Sequence, residues 1–434
     1  MTDTFLDTRT EALTRRMRSR VQVTETRGPY DGTVRVLLVV ALAMTAALAA
    51  GLLLQMIGET PGSNSYALLA DAFMNGRLHV TDCFDIDCAV YDGRQYVVFP
   101  PAPAILAMPF VAVFGTSFAG FIAMAMALSG AALLVWWRIF KILEVERSTA
   151  IWLMLAIAVA SPLYYVTIRG DGIWFMAQCV AFLTSSAAIW LVLDRRSLVL
   201  AGALIGVAFL SRQFTILLLP FVYVLHLRGD QRLIGFSRAH IAAVLKLGLP
   251  VLAAIAIYLV YNYARFGDVL DTGYAYITPP AGAENFLYGR AQEVGLFSAD
   301  YLLFNFIHFF VQGFGVTFTG PYLTELGELD PLGTSILAAS PFVLLAIFAP
   351  LRRPVVIGAL TIAAMMLPML LYHSNGFTQY NAQRYFLDWL PVLAVILALT
   401  IKAQLRPALA VLVTYAIGLN AVTFAIAAVT APAA

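Results

Sequence analysis

Charge is scarce in this chain of 434 residues, where Asp, Glu, Lys and Arg together supply 12%. A soluble domain carries about twice that fraction, so a water-soluble globule is excluded. A dominant charge sign is lacking as well. The 27 basic and 25 acidic side chains leave a net of +2, and no Lys/Arg run stands away from a membrane-flanking position. No nucleic-acid partner is therefore expected. Cysteine is the third scarcity. With only Cys83, Cys88 and Cys179 present, the two loop cysteines and His79 lack the further ligand at zinc-like spacing that a metal site would need, and none is expected there. Cys179 falls in an apolar stretch and reads as inert packing.

What is abundant is hydrophobic residues, 61% of the chain, arranged in runs of roughly 18 or more between short charged knots, as bilayer-spanning helices are. The chain thus reads as all-α, a polytopic inner-membrane protein. Arg9, Arg15, Arg16, Arg18, Arg20, Arg27 and Arg35 precede the first run, Val36 to Ile57. That leader is too long, and the run too extended, for a cleavable signal peptide; the run is an anchor, with a basic cytoplasmic segment over 1–35. Basic knots at Arg138 with Lys141, Arg195 with Arg196, Arg228 through Lys246, Arg352 with Arg353, and Lys402 with Arg406 mark further cytoplasmic ends.

Spans are placed at 36–57, 116–137, 149–168, 173–193, 198–210, 214–227, 242–263, 333–350, 355–372, 386–401 and 407–428, about eleven in a transmembrane domain over 36–428. The odd count puts the tail, 429–434, outside. The pair 198–210 and 214–227 is short for the hydrocarbon core and is interrupted by Ser211, Arg212 and Gln213. The two helices either meet in a thinned or wet cavity or form one re-entrant hairpin. Residues 299–319 tempt a further span, but the charge pattern allows no extra crossing, so an interfacial helix on the outer face is expected.

The long, chemically mixed connections all fall on the external side, in 58–102 and 264–332 above all. The first holds Asp71, Asp82, Asp85, Asp87 and Asp92 with Arg77 and Arg94. Tyr66, Leu69, Ala70 and Phe73 recur at helical spacing, so 64–76 reads as an amphipathic interfacial helix, capped at Ser63 or Asn64, with Asp71 on its polar side. Cys83 and Cys88 lie in an oxidising compartment in this scheme and are either a small-loop disulfide or two free thiols. Asp85-Ile86-Asp87 is a solvated acidic turn, a general base, or a divalent-cation site.

Arg169-Gly170-Asp171-Gly172, followed by Trp174, is a tight turn or part of a site. Arg212 is harder to dismiss, because an Arg at membrane depth costs about 2.5–3.5 kcal/mol on insertion scales and calls for an anionic partner or a wet cavity. A lipid-linked phosphate suits its planar fork. The stretch from Tyr261 to Tyr274 ends in Arg265, Asp268 and Asp271, and that from His373 to Asp388 holds Arg384. Each alone is ordinary helix-end chemistry. Five charged loops meeting on one membrane face point to a shared external site.

Several stretches taken in order resemble the integral-membrane GT-C glycosyltransferases, the superfamily of protein O-mannosyltransferases and the lipid A aminoarabinose transferase. They are SYALLADAFMNGRL, DGRQYVVFPPAPAILAMPF, GALIGVAFLSRQFTILLLP, YNYARFGDVLDTGY and QYNAQRYFLDWLPVL, spread from Val36 to about Ala403. The resemblance implies a polyprenyl-phosphate sugar donor, a lipid, glycan or protein acceptor, transfer on the outer face, and a catalytic acid in the first loop. One departure matters: relatives carry an acid just before the Tyr-Ala of the first interfacial helix, where this chain has Gly62, Ser63, Asn64 and Ser65 before Tyr66-Ala67.

On that reading the base is sought among Asp82, Asp85, Asp87, Asp92 and Asp71, and the phosphate ligands are Arg384 and Arg212, or Arg169 and Arg265. Tyr66, Asn64, Tyr96, Trp174, Asp171 and Asp271 are candidates for sugar or acceptor contacts. No cofactor is required, though a divalent cation is allowed. The rival readings are a transporter or flippase of a lipid-linked glycan, which would carry charges at helix midplanes, and a noncatalytic subunit of a glycan-assembly complex.

Overall fold

The computed structural model describes residues 30–227, 231–278, 286–377 and 379–430. Most of the basic leader (Arg9 to Arg27), Arg228 and the last residues of the tail lie outside the described residues. The helices that build the bundle are α1 (Asp31–Ile57), α2 (Ser65–Met74), α3 (Ala102–Phe114), α4 (Phe121–Ile142), α5 (Arg147–Ala158), α6 (Pro162–Ile168), α7 (Ile173–Leu193), α8 (Leu198–Phe209), α9 (Leu219–His226), α10 (Arg238–Phe266), α11 (Arg353–Leu370), α12 (Leu390–Thr400) and α13 (Arg406–Thr430).

Six of these, α1, α4, α7, α10, α11 and α13, are long and apolar enough to cross a membrane, and α5 with α6 makes a seventh as a bent pair. The bend is 46° and has a local cause. Pro162 starts α6 behind the cap Ser161, and the carbonyls freed at the break are taken up by Ser340 Oγ on Ala160 (2.7 Å) and by Asn420 on Val159. The remaining expected passes, at 198–210, 214–227, 333–350 and 386–401, are shorter or irregular here, so length alone does not reach eleven.

Burial grades the bundle from inside out. In α7, 72% of the membrane-length window is buried, against 17% in α1. In α12 every residue but Leu399 is buried. Small residues let neighbouring backbones approach. A side chain at Gly202 would strike the Leu247 backbone of α10, and one at Gly206 would meet Ala254 at 2.9 Å, so the Gly202–Gly206 spacing is the α8–α10 contact. Gly51 of α1 receives the ring of Phe424 from α13 in the same way.

The loops at the site end are more structured than the sequence suggested. The α2 helix is capped as expected, Asn64 Oδ1 accepting from Tyr66 N–H (2.9 Å), but it is not amphipathic: Ser65 to Ala70 and Ala72 are buried. It packs against α3. Cys88–Tyr91 (β1) and Arg94–Val97 (β2) form an antiparallel hairpin. Its Asp92-Gly93 turn has φ of 48° and 68°, the geometry that favours Asp-Gly in two-residue hairpin loops. Of the stretch 299–319, only Ala299–Val311 is helical. Val316–Thr319 (β3) pairs with Glu325–Leu329 (β4), after Gly313 and Gly315 end the helical run. Glu59, at the end of α1, accepts from the first N–H groups of α4, Phe121 (2.8 Å) and Ile122 (2.9 Å), tying the two helix ends together.

Candidate active site

At the end of the bundle that carries the first loop there is a cavity of about 110 Å³ whose walls include Asp87, Trp174, Arg212, Tyr274, His373 and Arg384. They come from five separate segments, which only the packed bundle brings together.

Asp87 is the one carboxylate of the first loop on the cavity wall. Its Oδ2 accepts from Trp174 Nε1–H at the start of α7 (2.8 Å), and its Oδ1 accepts from the Tyr288 hydroxyl (3.1 Å). Burial pushes its pKa above the ordinary carboxylate value, while the two hydrogen bonds and the charge of Arg384 pull the other way. The loop that presents it is short and cross-linked: Cys83 and Cys88 are joined by a disulfide, and Asp87 precedes Cys88 directly.

Arg384 is buried between Phe175 and Tyr385, their ring centroids 5.4 and 4.9 Å from its guanidinium carbon. Nε donates to the Gly376 carbonyl (2.8 Å), and Nη1 reaches Gln178 Oε1 at 3.4 Å. The backbone is pinned too, Gln178 Nε2 donating to the Arg384 carbonyl (2.8 Å) and Gln379 Oε1 accepting from its N–H (2.9 Å). None of the ion pairs among the described residues includes Arg384. A buried cation without a carboxylate, on the wall of a cavity, is a place for an anion.

Arg212 has an anionic partner inside the protein. It grips Asp388 with Nη2 at 2.7 Å and Nε at 3.2 Å from the carboxylate oxygens, and it lies 5.0 Å from the Tyr385 ring centroid. The expected need for a counter-ion at that depth is met by a residue of the Arg384 segment, leaving Arg212 on the cavity wall as half of an ion pair. His373, which sequence reasoning passed over, is also on the wall. Burial and the neighbouring Arg290 lower its pKa to about 4, so the imidazole is neutral at pH 7. Its Nδ1 is buried without a partner. Tyr274 and Tyr372 complete the aromatic lining.

The other candidates have local tasks. Asp85 turns away from the cavity: its carboxylate accepts from Ser65 N–H (2.8 Å), while Ser65 Oγ accepts from Phe84 and Asp85 N–H groups. It thereby caps α2, and burial raises its pKa to about 6. Asp71 pairs with Arg77 (3.0 Å), Asp82 accepts from Cys83 N–H (2.8 Å), and Asp92 makes the hairpin turn. The acids of the Asp-x-Asp thus serve different partners, and among the described residues no three His, Cys, Asp or Glu side chains converge.

Arg169 pairs with Asp171 (3.7 Å). Arg265 donates to the Val97 carbonyl (2.7 Å) and Asn262 Oδ1 (2.8 Å), clamping the hairpin to the end of α10. Tyr96 packs on Phe266 and His79. Asp271 holds Gly273 N–H and the Tyr276 hydroxyl. Tyr66 is fully buried with an unpartnered hydroxyl, and Asn64, besides its cap, donates to the Gly170 carbonyl (3.3 Å), linking the first loop to the second.

No family model matches the chain, and no curated protein matches it. Among solved structures, the chain is similar to the crystal structure of ArnT from Cupriavidus metallidurans bound to undecaprenyl phosphate. That likeness has 12% identity, covers 89% of this chain and 76% of that one, and gives a TM-score of 0.47, too distant to carry chemistry across.

Proposed function

We propose that this protein is a membrane glycosyltransferase that moves a sugar from a polyprenyl-phosphate donor to a hydroxyl of a lipid, glycan or protein acceptor, with inversion. The observation that carries the reading is the meeting, on the wall of one small cavity, of a recessed carboxylate, Asp87, and a buried guanidinium, Arg384, that is in no ion pair among the described residues. The acceptor oxygen attacks the anomeric carbon as its proton passes to Asp87. The bond from that carbon to the phosphate oxygen breaks, and the phosphate leaves with the electron pair toward Arg384, with Arg212 behind it. Trp174, bonded to Asp87, keeps the base aimed. Asp85 returns a carboxylate to the start of α2, where the resembling family carries an acid that this chain lacks.

In this reading the short segments 198–210, 214–227, 333–350 and 386–401 complete eleven passes. The N-terminus is then cytoplasmic, and the cavity opens on the periplasmic face of the inner membrane. No cofactor is needed for the displacement, and a divalent cation would act only on the leaving phosphate.

The test is release of free polyprenyl phosphate by the purified protein from a panel of polyprenyl-phosphate sugars, with acceptor extract supplied. Turnover is expected for the wild type, with Asp87→Asn lower by about 10²- to 10⁴-fold and Arg384→Gln losing donor affinity. Donor binding without turnover across the panel would move the assignment to a flippase or an assembly subunit.

A further inference from the structure

The opposite end of the bundle carries a second feature. From Ile173, beside the cavity, α7 runs 21 residues to Leu193, about 30 Å at 1.5 Å per residue. There Arg196 and Ser197 with the start of α8, the end of α9 at His226 and the first turns of α10 enclose a groove of about 470 Å³. Its rim carries the cations Arg196 and Lys246 beside His226, and its floor is apolar, with Leu198, Val199 and Ala242.

The cationic charge at this rim is only partly balanced among the described residues. Asp194 pairs with Arg196 at 2.5 Å, whereas Lys246 has neither an ion pair nor a hydrogen bond among the described residues. Arg195, next along the turn, is spent on the His226 carbonyl. Lys246 also stands two turns inside α10, on a stretch where Val244, Leu245 and Leu249 are exposed. An ammonium among lipid-facing side chains is stable there only by reaching along the helix to an anionic group at the interface.

We infer that this groove binds the phosphodiester headgroup of an anionic phospholipid, with Lys246 and Arg196 on the phosphate and an acyl chain lying over Val199 and Leu245. Basic rim and apolar floor together match a headgroup still attached to its chain. The inference stands apart from the proposed glycosyl transfer, since it uses none of the cavity residues.

The experiment is lipid binding to the purified full-length protein, by native mass spectrometry and thermal shift, with phosphatidylglycerol, phosphatidylcholine and inorganic phosphate as probes. Phosphatidylglycerol should be retained and should raise the melting temperature, and phosphatidylcholine should not. Lys246→Gln and Arg196→Gln should each weaken binding about fivefold, and Lys246→Arg should restore it. Equal retention of the two lipids, or wild-type binding by the double variant, would overturn the inference. An equal shift with inorganic phosphate would overturn the lipid assignment.

Discussion

The pair Arg212–Asp388 joins the break between α8 and α9 to the segment that carries Arg384, 176 residues later. The Arg212 and Asp388 side chains are 18% and 1% exposed, so neither is stabilised by bulk water. Breaking such a pair by removing one partner costs about 3–5 kcal/mol, because a buried charge is left uncompensated. Asp388→Leu should sit at the lower end, near 3 kcal/mol, since the Tyr385 ring face, 5.0 Å away, still offers Arg212 a weak partner. Arg212 cannot shed its charge, because a guanidinium stays protonated. The double variant Arg212→Met with Asp388→Leu removes both charges and should recover most of the loss. Unfolding in mixed micelles by SDS titration, followed by circular dichroism, measures all four proteins of the cycle. An Asp388→Leu variant within about 1 kcal/mol of wild type, the value of an exposed pair, would refute the reasoning. So would a double variant as unstable as the sum of the singles.

Asp85, held near pKa 6 by burial against an ordinary value of 3.8, favours the folded state below about pH 4 and loses that contribution as pH rises through 6. Asp85→Asn should therefore gain on the wild type above pH 6, by at most about 3 kcal/mol, in melting curves taken from pH 4 to 8. Reducing the Cys83–Cys88 disulfide frees the loop that aims Asp87. Dithiothreitol should lower kcat in the release assay, while Cys179→Ala, at a buried free thiol, leaves it unchanged. Gly202→Leu should cost about 1–3 kcal/mol by forcing α8 from the α10 backbone. Gly248→Ala, with open space around it, should be neutral or gain about 0.5–1 kcal/mol in the same SDS titration.

The membrane character was legible because hydrophobic run length is a local property, and the cap of α2 was narrowed to Ser63 or Asn64, of which Asn64 makes it. The β1–β2 hairpin carries its own local signal, Asp92-Gly93 between Tyr91 and Tyr96, the pair that two-residue hairpin turns favour. The five carboxylates of the first loop could not be ranked, since what separates Asp87 from Asp85 is whether Tyr288, 201 residues on, or Ser65, 20 residues back, bonds it. That Arg212 calls for an anionic partner or a wet cavity follows from its depth in the chain, but Asp388 as that partner depends on how the turn before α12 packs, 176 residues away. His373 offered no signal beyond being a histidine, because its neutrality is made by burial and by Arg290.

The bond from Trp174 to Asp87 has a practical consequence. An indole whose N–H is tied to a carboxylate on the wall of a small cavity changes its emission when the carboxylate takes up a proton or when an occupant displaces water beside the ring. The difference in fluorescence between the wild type and Trp174→Phe is thus a built-in optical readout of that cavity, usable before any donor or acceptor has been identified.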